Sequence, residues 1–295
     1  MSNDQTFSPL LIGGIPAAEL RRKLYGHRGR LRNNRGILEQ VQYDRAGVAP
    51  INQTPESTVY LTPDREHVGA TTSDEFGDVW IEPTPSSGLR SVDFKSTSSF
   101  RGHVPYRDQN TRLAAESMIE ARLAKILQVN RRIVDIRDQY PLCHYLDDGE
   151  QRETIFDYWV QLDNQMRVAI AVKPANRVRK SGILRTLKLC AEQGIGSYAD
   201  RVALFTDIPA SLDNEYNAAW ILRSRRAFNQ AEFDQALARI QTVYGSTRFH
   251  DLLLGAPSQA GRRTAIWNLI DEGYLVAEEP GRIKDLSWLR HNLTN

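Results

Sequence analysis

Three charged side chains in the middle of the sequence are embedded in apolar segments. Glu120 borders the apolar stripe of a predicted helix, Asp157 lies within IFDYWV, and Lys173 ends VAIAVK. A buried carboxylate or ammonium is costly unless another group pairs with it. Two carboxylates could hold Mg²⁺ while the ammonium orients a water-derived nucleophile against a phosphodiester. A purely structural Asp157–Lys173 ion pair also explains the pattern and, taken alone, is the simpler interpretation.

A helix and a strand are predicted upstream of Asp157. In TRLAAESMIEARLAKILQ, from about position 111, apolar residues recur every three or four positions, which predicts a helix. Glu120 lies on the edge of its apolar stripe because Leu123 and Leu127 follow at helical spacing. The next segment, RRIVDIRDQYPL, is rich in β-branched residues and predicts a buried strand.

The second part of the predicted core is a hairpin. The apolar runs of TIFDYWVQLDNQMRVAIAVKP flank an Asp-Asn turn signal at 163–164. If Leu162 pairs with about Arg167, Asp157 lies opposite about Val172, within one residue. This register would bring the Asp157 carboxylate next to the end of the second strand.

The remaining pattern predicts an α/β fold with a helical end. SGILRTLKLCAEQ has helical spacing and 201–207 has the character of a buried strand, so an α/β domain covers roughly 111–207. Helices then follow, and Trp220, Tyr244, Trp267 and Tyr274 are expected in their core. The segment from 258 on predicts a helix and a short β-wing turning at Pro280-Gly281, the outline of a winged helix.

The charge distribution and composition limit the class of protein. The net charge is only +2, so the whole chain is not a polybasic nucleic-acid binder. Two cysteines exclude a disulfide framework and a thiolate metal cluster, and six histidines without HxxxH or HxH spacing argue against zinc. Neither a signal peptide nor an apolar run long enough to cross a bilayer is visible, so we expect a soluble, cytoplasmic protein.

A basic run stands out at 21–35, where seven cationic residues occur without an acid. Such a run either lies along DNA phosphates or forms a solvated helix face. The segment just after Lys173 is also basic and presents the same two choices. The candidate DNA contacts in these two segments are Arg21, Arg22, Lys23, Arg28, Arg30, Arg32, Arg177, Arg179 and Lys180.

An ordered series of segments resembles a known family. A strand Asp followed by a second strand ending in VK resembles the PD-(D/E)xK restriction-endonuclease-like nucleases. The surrounding sequence more specifically resembles TnsA, the endonuclease subunit of heteromeric bacterial transposases. DIRDQYPL is the longest and most specific piece, and the full series is PSSGLR (85–90), SMIE (117–120), DIRDQYPL (135–142), FDYWV (156–160), AIAVKPA (169–175) and LFTD (204–207).

The resemblance implies an architecture and a reaction. It implies a restriction-endonuclease-like mixed-sheet core followed by a helical, winged-helix-like C-terminal domain. The corresponding division is an N-terminal extension at 1–84, a nuclease domain at 85–210 and a C-terminal domain at 211–295. The implied activity is Mg²⁺-dependent hydrolysis at the 5′ ends of a transposon, with Mn²⁺ expected to substitute. The implied partners are transposon-end DNA, a TnsB-like transposase that processes the 3′ ends, and a TnsC-like ATPase that docks on the C-terminal region.

The resemblance also assigns roles, and one position departs from it. The family's helix Glu, strand Asp and Lys correspond to Glu120, Asp157 and Lys173, and the two carboxylates with the Val172 backbone carbonyl are the implied metal ligands. The family's Gln position holds Ala171, which has no oxygen to offer. Three interpretations are open: cleavage survives on Asp157, Glu120 and a strand carbonyl such as that of Val172, or cleavage is impaired, or the alanine is an engineered inactivating substitution. The alternatives are a non-catalytic DNA- and partner-binding scaffold and a stand-alone restriction or repair nuclease.

Overall fold

The structure, a computed structural model, is a mixed α/β fold. The predicted DNA contacts from Arg21 to Arg32 lie outside the described part of the chain. The described residues are 71–74, 77–80, 83–86, 88–89 and 100–292.

Thirteen strands and seven helices occur within these ranges. In chain order the strands are β1 (Thr71–Asp74), β2 (Gly77–Trp80), β3 (Gly102–Tyr106), β4 (Thr111–Ala115), β5 (Ile133–Asp138), β6 (Leu142–Asp147), β7 (Glu150–Ile155), β8 (Tyr158–Leu162), β9 (Arg167–Val172), β10 (Arg201–Phe205), β11 (Ser246–Arg248), β12 (Leu275–Ala277) and β13 (Trp288–His291). The helices are α1 (Met118–Val129), α2 (Ala175–Ser181), α3 (Ile183–Gln193), α4 (Leu212–Arg226), α5 (Gln230–Gln241), α6 (Phe249–Leu253) and α7 (Gln259–Asp271). None of these helices combines the length and apolar character needed to cross a bilayer.

A four-stranded sheet in the order β10-β9-β8-β5 lies at the centre. β8 is antiparallel to both β5 and β9, whereas β9 and β10 are parallel. The predicted hairpin is confirmed. Its observed pairing of Gln161 with Arg167 differs by one residue from the expected pairing of Leu162 with Arg167. The predicted strand at 201–207 is also confirmed, as β10.

Alternate side chains of these strands enter two different hydrophobic clusters, as the two-residue period of a strand requires. Val168, Ile170 and Val172 pack on the face that α1 covers. Ala169 and Ala171 belong to the opposite face, together with buried side chains of α3 and of β6. The sheet therefore has an apolar layer on each side, which explains why β8, β9 and β10 contain near-continuous apolar runs.

The predicted helix begins later than its pattern indicated. Residues 111–115 form strand β4, paired with β3 in an antiparallel hairpin, and the helix starts only after Ser117. The side chain of Ser117 accepts a hydrogen bond from the Glu120 N–H and so caps the helix. Leu113 occurs at helical spacing from later apolar residues, but it is buried from the strand, so its spacing misled the prediction.

Two further expectations about strands were wrong. β5 is an edge strand that is buried on one side only: Ile136 is 3% exposed, whereas Val134, at the register shift between Ile133 and Asp135, is 50% exposed. Asp157 does not lie inside a strand but at a bend between β7 and β8. β7 turns away from the central sheet and pairs with β6 in a separate hairpin whose turn, Asp148-Gly149, has positive φ at both residues.

The C-terminal part consists of helices and a small antiparallel sheet in the order β11-β13-β12. Trp267 is buried in its core and stacks on Trp220 with ring centroids 5.9 Å apart, as expected of core aromatics. The expectation that Tyr244 is in the core was wrong, because its side chain is 99% exposed in the loop after α5. Tyr274 is only partly covered, by contact with Phe233.

A buried ion pair joins the C-terminal helices to α1. The guanidinium of Arg225 on α4 binds both carboxylate oxygens of Asp271 on α7, at 2.7 and 2.8 Å. Its remaining N–H groups bind the carbonyls of Gln128 and Val129 at the end of α1, where Arg131 also binds Asp271. Burial alone would raise the pKa of Asp271, but the two arginines outweigh it and hold the pKa below its usual value.

Candidate active site

Asp157 is held at the point where β8 begins. The paired ladder between β8 and β9 ends with Tyr158 opposite Ile170, and Asp157 is the residue immediately before it. Its Oδ2 accepts a 2.6 Å hydrogen bond from the Val172 N–H, so a side chain closes the ladder in place of a backbone carbonyl. Its own carbonyl accepts a 2.9 Å hydrogen bond from the Gln139 N–H. One hydrogen bond therefore fixes the carboxylate of Asp157 and the other fixes its backbone.

Glu120 lies in the first turn of α1, where the sequence SMIE forms a helix cap. Its Oε1 accepts a 2.7 Å hydrogen bond from the Ser117 hydroxyl, and its Oε2 accepts one of 2.7 Å from the Glu116 N–H. The buried Tyr158 hydroxyl donates to the Glu120 carbonyl at 3.1 Å and anchors this turn on β8. Glu120 therefore has a structural role that the sequence reasoning missed, although S-x-x-E is a recognisable capping signal.

Burial and the nearby Glu120 both oppose the ionisation of Asp157. Burial, followed by the charge of Glu120, raises the pKa of Asp157 to about 7, against opposing effects of the Val172 N–H and Lys173. Glu116 adds a smaller repulsion in the same direction. A buried acid at the start of a core strand, with a second carboxylate nearby that opposes its ionisation, is typical of a site that accepts a proton or a cation.

Lys173 follows β9 directly, and its N–H donates to the carbonyl of Phe205 on β10 at 2.9 Å. Its ammonium lowers the pKa of Asp157 through space. The direct contact of the Asp157 carboxylate is with the Val172 N–H, and within the described chain Lys173 and Asp157 form no ion pair. The purely structural pair considered for these residues is therefore not what holds Asp157 in place.

Ala171 lies in an apolar environment. Its methyl group is 7% exposed and packs in the cluster that contains Phe156 and Trp159, on the sheet face away from α1. Lys173 follows two residues later, the spacing at which residues of a strand share one face of the sheet.

The donor chemistry of the site suits a hard divalent cation. Carboxylate oxygens are what Mg²⁺ and Mn²⁺ prefer, and Glu120 and Asp157 provide two such groups whose repulsion a cation would relieve. Over the described ranges, no group of three or more His, Cys, Asp or Glu side chains forms a metal site by itself. Mg²⁺ commonly binds through one or two carboxylates with water and phosphate oxygens completing its shell, so two ligands fit. Val172, the third predicted ligand, adjoins both Asp157 and Lys173.

An open pocket of about 360 Å³ leads to Asp157. Glu116, Glu153 and Asp157 make its lining acidic, and side chains of β6 and β7 form its far wall. Gln139 also lines this pocket, although it is only 3% exposed. Its position next to Asp157 is a feature of the site that the sequence pattern does not indicate.

Three of the cations predicted to contact DNA lie in the described part of the chain. Arg177, Arg179 and Lys180 are exposed on α2, which begins two residues after Lys173. Their helix therefore emerges from the strand that ends at the site. Arg262 and Arg263, at the predicted winged helix, are instead engaged by Glu232 and Asp285.

The geometry thus brings Glu120, Asp157 and Lys173 together at one end of the central sheet. The arrangement can exchange a proton near neutral pH, bind a divalent cation and place an ammonium beside it. No protein-family model matches the chain, and no curated protein matches it.

Proposed function

We propose that this chain is a metal-dependent DNA endonuclease of the TnsA type, with a restriction-endonuclease-like core and a winged-helix-like C-terminal end. The observation that carries the proposal is the buried Asp157 carboxylate, whose pKa is raised to about 7 by burial and, to a lesser extent, by the charge of Glu120. A buried acid whose ionisation is opposed by burial and by a like charge, beside a pocket, is a feature of functional sites. The ordered resemblance to TnsA segments supports this reaction class.

In this reaction the chain's residues bind, orient and stabilise. Glu120 and Asp157 would hold the divalent cation together with the Val172 carbonyl, and the bound cation supplies Lewis-acid activation of water and charge neutralisation at the phosphate. The Val172 N–H keeps one oxygen of Asp157 fixed, which leaves the other to face the cation. Lys173 adds a positive charge that orients the nucleophile or stabilises the charge developing on the phosphate.

The proposed substrate is the 5′ strand at each transposon end, with a TnsB-like transposase acting on the 3′ strand and a TnsC-like ATPase docking on the C-terminal region. The acidic lining of the pocket supports a dependence on partners and cations. Glu116, Glu153 and Asp157 repel a phosphate on their own, so a DNA backbone needs added positive charge to enter. Arg177, Arg179 and Lys180 are close along the chain and supply part of it.

A second candidate function rests on Ala171. Its methyl group packs among apolar side chains and offers no ligand oxygen where the family has a Gln. A subunit without cleavage activity could still assemble the transposase on DNA. This scaffold function would keep the surface of α2 important and make Asp157 dispensable.

The deciding experiment is strand-specific cleavage of labelled transposon-end DNA with Mg²⁺ or Mn²⁺ in the presence of the TnsB-like and TnsC-like partners. Asp157→Asn is the test variant, because an amide keeps the acceptor for the Val172 N–H but loses the charge. Asp163→Asn, in the β8–β9 turn, is the matched control. The endonuclease predicts 5′ nicking by the wild type and the control and none by Asp157→Asn. Equal 3′ joining by all three proteins without 5′ nicking would establish the scaffold.

A further inference from the structure

Gln139 has a buried polar group that no contact satisfies. Its side chain is 3% exposed, and its Nε2 has no hydrogen-bond partner among the described residues. Buried amides are almost always hydrogen-bonded, because an unmet donor loses its interaction with water and gains nothing in return. Gln139 lines the pocket in which Asp157 lies, so the unused donor belongs to a side chain that borders a site open to a ligand.

The backbone around Gln139 is held in an uncommon conformation. Gln139 has φ +46°, in the left-handed region that few residues other than Gly and Asn adopt. Its N–H binds the Asp157 carbonyl and its carbonyl accepts from the Leu89 N–H, so both of its backbone groups are fixed. A Cβ added to Gly88 would lie 2.9 Å from the Gln139 Cβ, which shows how closely this segment packs on it.

The preceding residue strengthens this support. Asp138 is 1% exposed, and its Oδ2 accepts hydrogen bonds from the Ser86 hydroxyl and the Ala114 N–H. The described residues between 83 and 89, the β3–β4 hairpin and the end of β5 therefore meet immediately before Gln139. Several hydrogen bonds fix the backbone there, while the amide of its side chain remains unused.

We infer that the Gln139 side-chain amide is a substrate-binding group that donates a hydrogen bond to a non-bridging oxygen of a DNA phosphate in this pocket. The other groups that line the pocket with charge are carboxylates, which repel a phosphate, so a fixed neutral donor beside Asp157 is complementary to it. The inference rests on the proposed nuclease site and adds to it a residue that contacts the substrate.

The test compares Gln139→Met, which keeps the length of the side chain and removes the amide, with Gln165→Met. Gln165 also has positive φ, but it is exposed in the β8–β9 turn at the other end of β8, so its substitution is a matched control. DNA affinity is measured with the full chain in Ca²⁺, a hard cation that also takes oxygen ligands, and 5′ cleavage is measured with partners in Mn²⁺. We expect Gln139→Met to weaken affinity or kcat/KM by about 10-fold or more, as the removal of one hydrogen bond to a charged oxygen does.

Phosphorothioate DNA separates contact with the phosphate from a structural effect. Sulfur in place of one non-bridging oxygen at the cleaved position should slow the wild type and Gln165→Met, for one of the two diastereomers. In Gln139→Met this penalty should shrink, because the hydrogen bond that sulfur weakens is already absent. Gln139→Glu, which nearly preserves the shape and replaces the donor by a charge, serves if Gln139→Met does not fold and should bind DNA more weakly than the wild type.

The outcomes distinguish the two proposals. If the wild type cleaves and the Gln139 variants bind DNA, cleave it and respond to sulfur as Gln165→Met does, the phosphate contact is refuted while the nuclease stands. If no protein cleaves but DNA affinity still depends on Gln139 and not on Gln165, the nuclease fails while the phosphate contact stands. Unchanged affinity of both Gln139 variants, without cleavage by any protein, overturns both.

Discussion

The N–H of Val172 donates a 2.6 Å hydrogen bond to Oδ2 of Asp157, across the position where the β8–β9 ladder ends. This bond favours the ionised carboxylate, whereas burial and the charge of Glu120 favour the protonated one. The balance leaves Asp157 with a pKa of about 7, close to the pH at which an arriving cation would need it ionised. The pH dependence of this single group therefore reports on the site.

The first prediction concerns stability in the absence of a divalent cation. Asp157 has a pKa of about 7 in the folded protein against an ordinary value of 3.8, so the folded state binds more protons and the free energy of unfolding falls as pH rises from about 4 to 7. Asp157→Asn removes this decrease in the free energy of unfolding, because an amide does not titrate. At pH 8 the variant should be more stable than the wild type by on the order of 2–4 kcal/mol, and at pH 4 the two should be equal.

Urea unfolding at both pH values measures this difference. Added Mg²⁺ or Mn²⁺ should then stabilise the wild type at pH 8, because binding to the folded state alone raises its stability, and should have a much smaller effect on Asp157→Asn. An equal response of both proteins to the cation would contradict the assignment of Asp157 as a ligand.

The second prediction concerns the source of the raised pKa. Glu120→Gln removes the charge that repels Asp157, so the pKa of Asp157 should move down toward its usual value. Carboxyl ¹³C NMR of the full chain, with Asp157→Asn to identify the resonance, measures the shift. Because Glu120 also accepts two hydrogen bonds at the helix cap, Ser117→Ala is the control: it weakens the cap while retaining the charge. It should leave the pKa of Asp157 nearly unchanged.

The third prediction concerns the buried ion pair between α4 and α7. Asp271→Asn leaves the buried Arg225 charge without its partner carboxylate and Arg131 with Glu272 alone, and should cost about 3–5 kcal/mol of unfolding free energy. Asp285→Asn, which breaks the more exposed pair with Arg263, should cost about 1 kcal/mol or less. Denaturant unfolding of both variants checks the contrast, and similar losses of stability would show that burial does not set the strength of the Asp271 ion pairs.

The central sheet could be predicted because its strands have apolar side chains on both faces. The β8–β9 register was correct to one residue, since a short turn leaves little freedom in how two strands pair. The β6–β7 hairpin could not be read from apolar runs, because β7 is largely exposed and its sequence, EQRETI, is polar. The dipeptide Asp148-Gly149 was the one signal in the sequence that could have indicated this hairpin, because Asp-Gly is typical of a two-residue hairpin turn.

Part of the candidate site could also be predicted from the apolar runs of the sequence. Asp157 and Lys173 stood out because each interrupts or ends an apolar run, and Glu120 because it borders a stripe. Gln139 could not be identified as a pocket residue, because its position depends on a left-handed backbone and on contacts with residues 88–89, about 50 positions earlier. A position that depends on contacts between distant residues produces no periodic pattern in the sequence.

The fourth prediction concerns the basic surface of α2. Replacing Arg177, Arg179 and Lys180 together with Gln should weaken DNA binding and reduce the slope of log affinity against log salt by about 0.9 for each phosphate that these cations neutralise. Arg185→Gln is the control, because that arginine is already paired with Asp147 and Asp148. Removal of the basic run 21–35 tests the other predicted DNA-binding segment in the same assay. An unchanged salt slope would mean that these cations form an ordinary solvated surface.

The fifth prediction concerns Ala171. If the missing amide limits cleavage, Ala171→Gln should increase the rate of 5′ nicking by about 10-fold or more, the contribution of one added polar interaction with a charged centre. Ala171→Met is the matched variant, since it adds similar volume to the same apolar cluster without an amide. Both variants should be somewhat less stable than the wild type, because a larger side chain must be accommodated where 7% of the alanine is exposed.

Nicking rates and unfolding free energies of the two variants separate the possibilities. Faster cleavage by Ala171→Gln alone would identify the alanine as the weak point of an active nuclease. Slower cleavage by both, in proportion to their decrease in stability, would mean that the wild-type site is complete with Ala171. If the wild type and both variants fail to nick while still supporting 3′ joining, the chain assembles the transposase without cutting, since restoring the amide does not restore a nuclease.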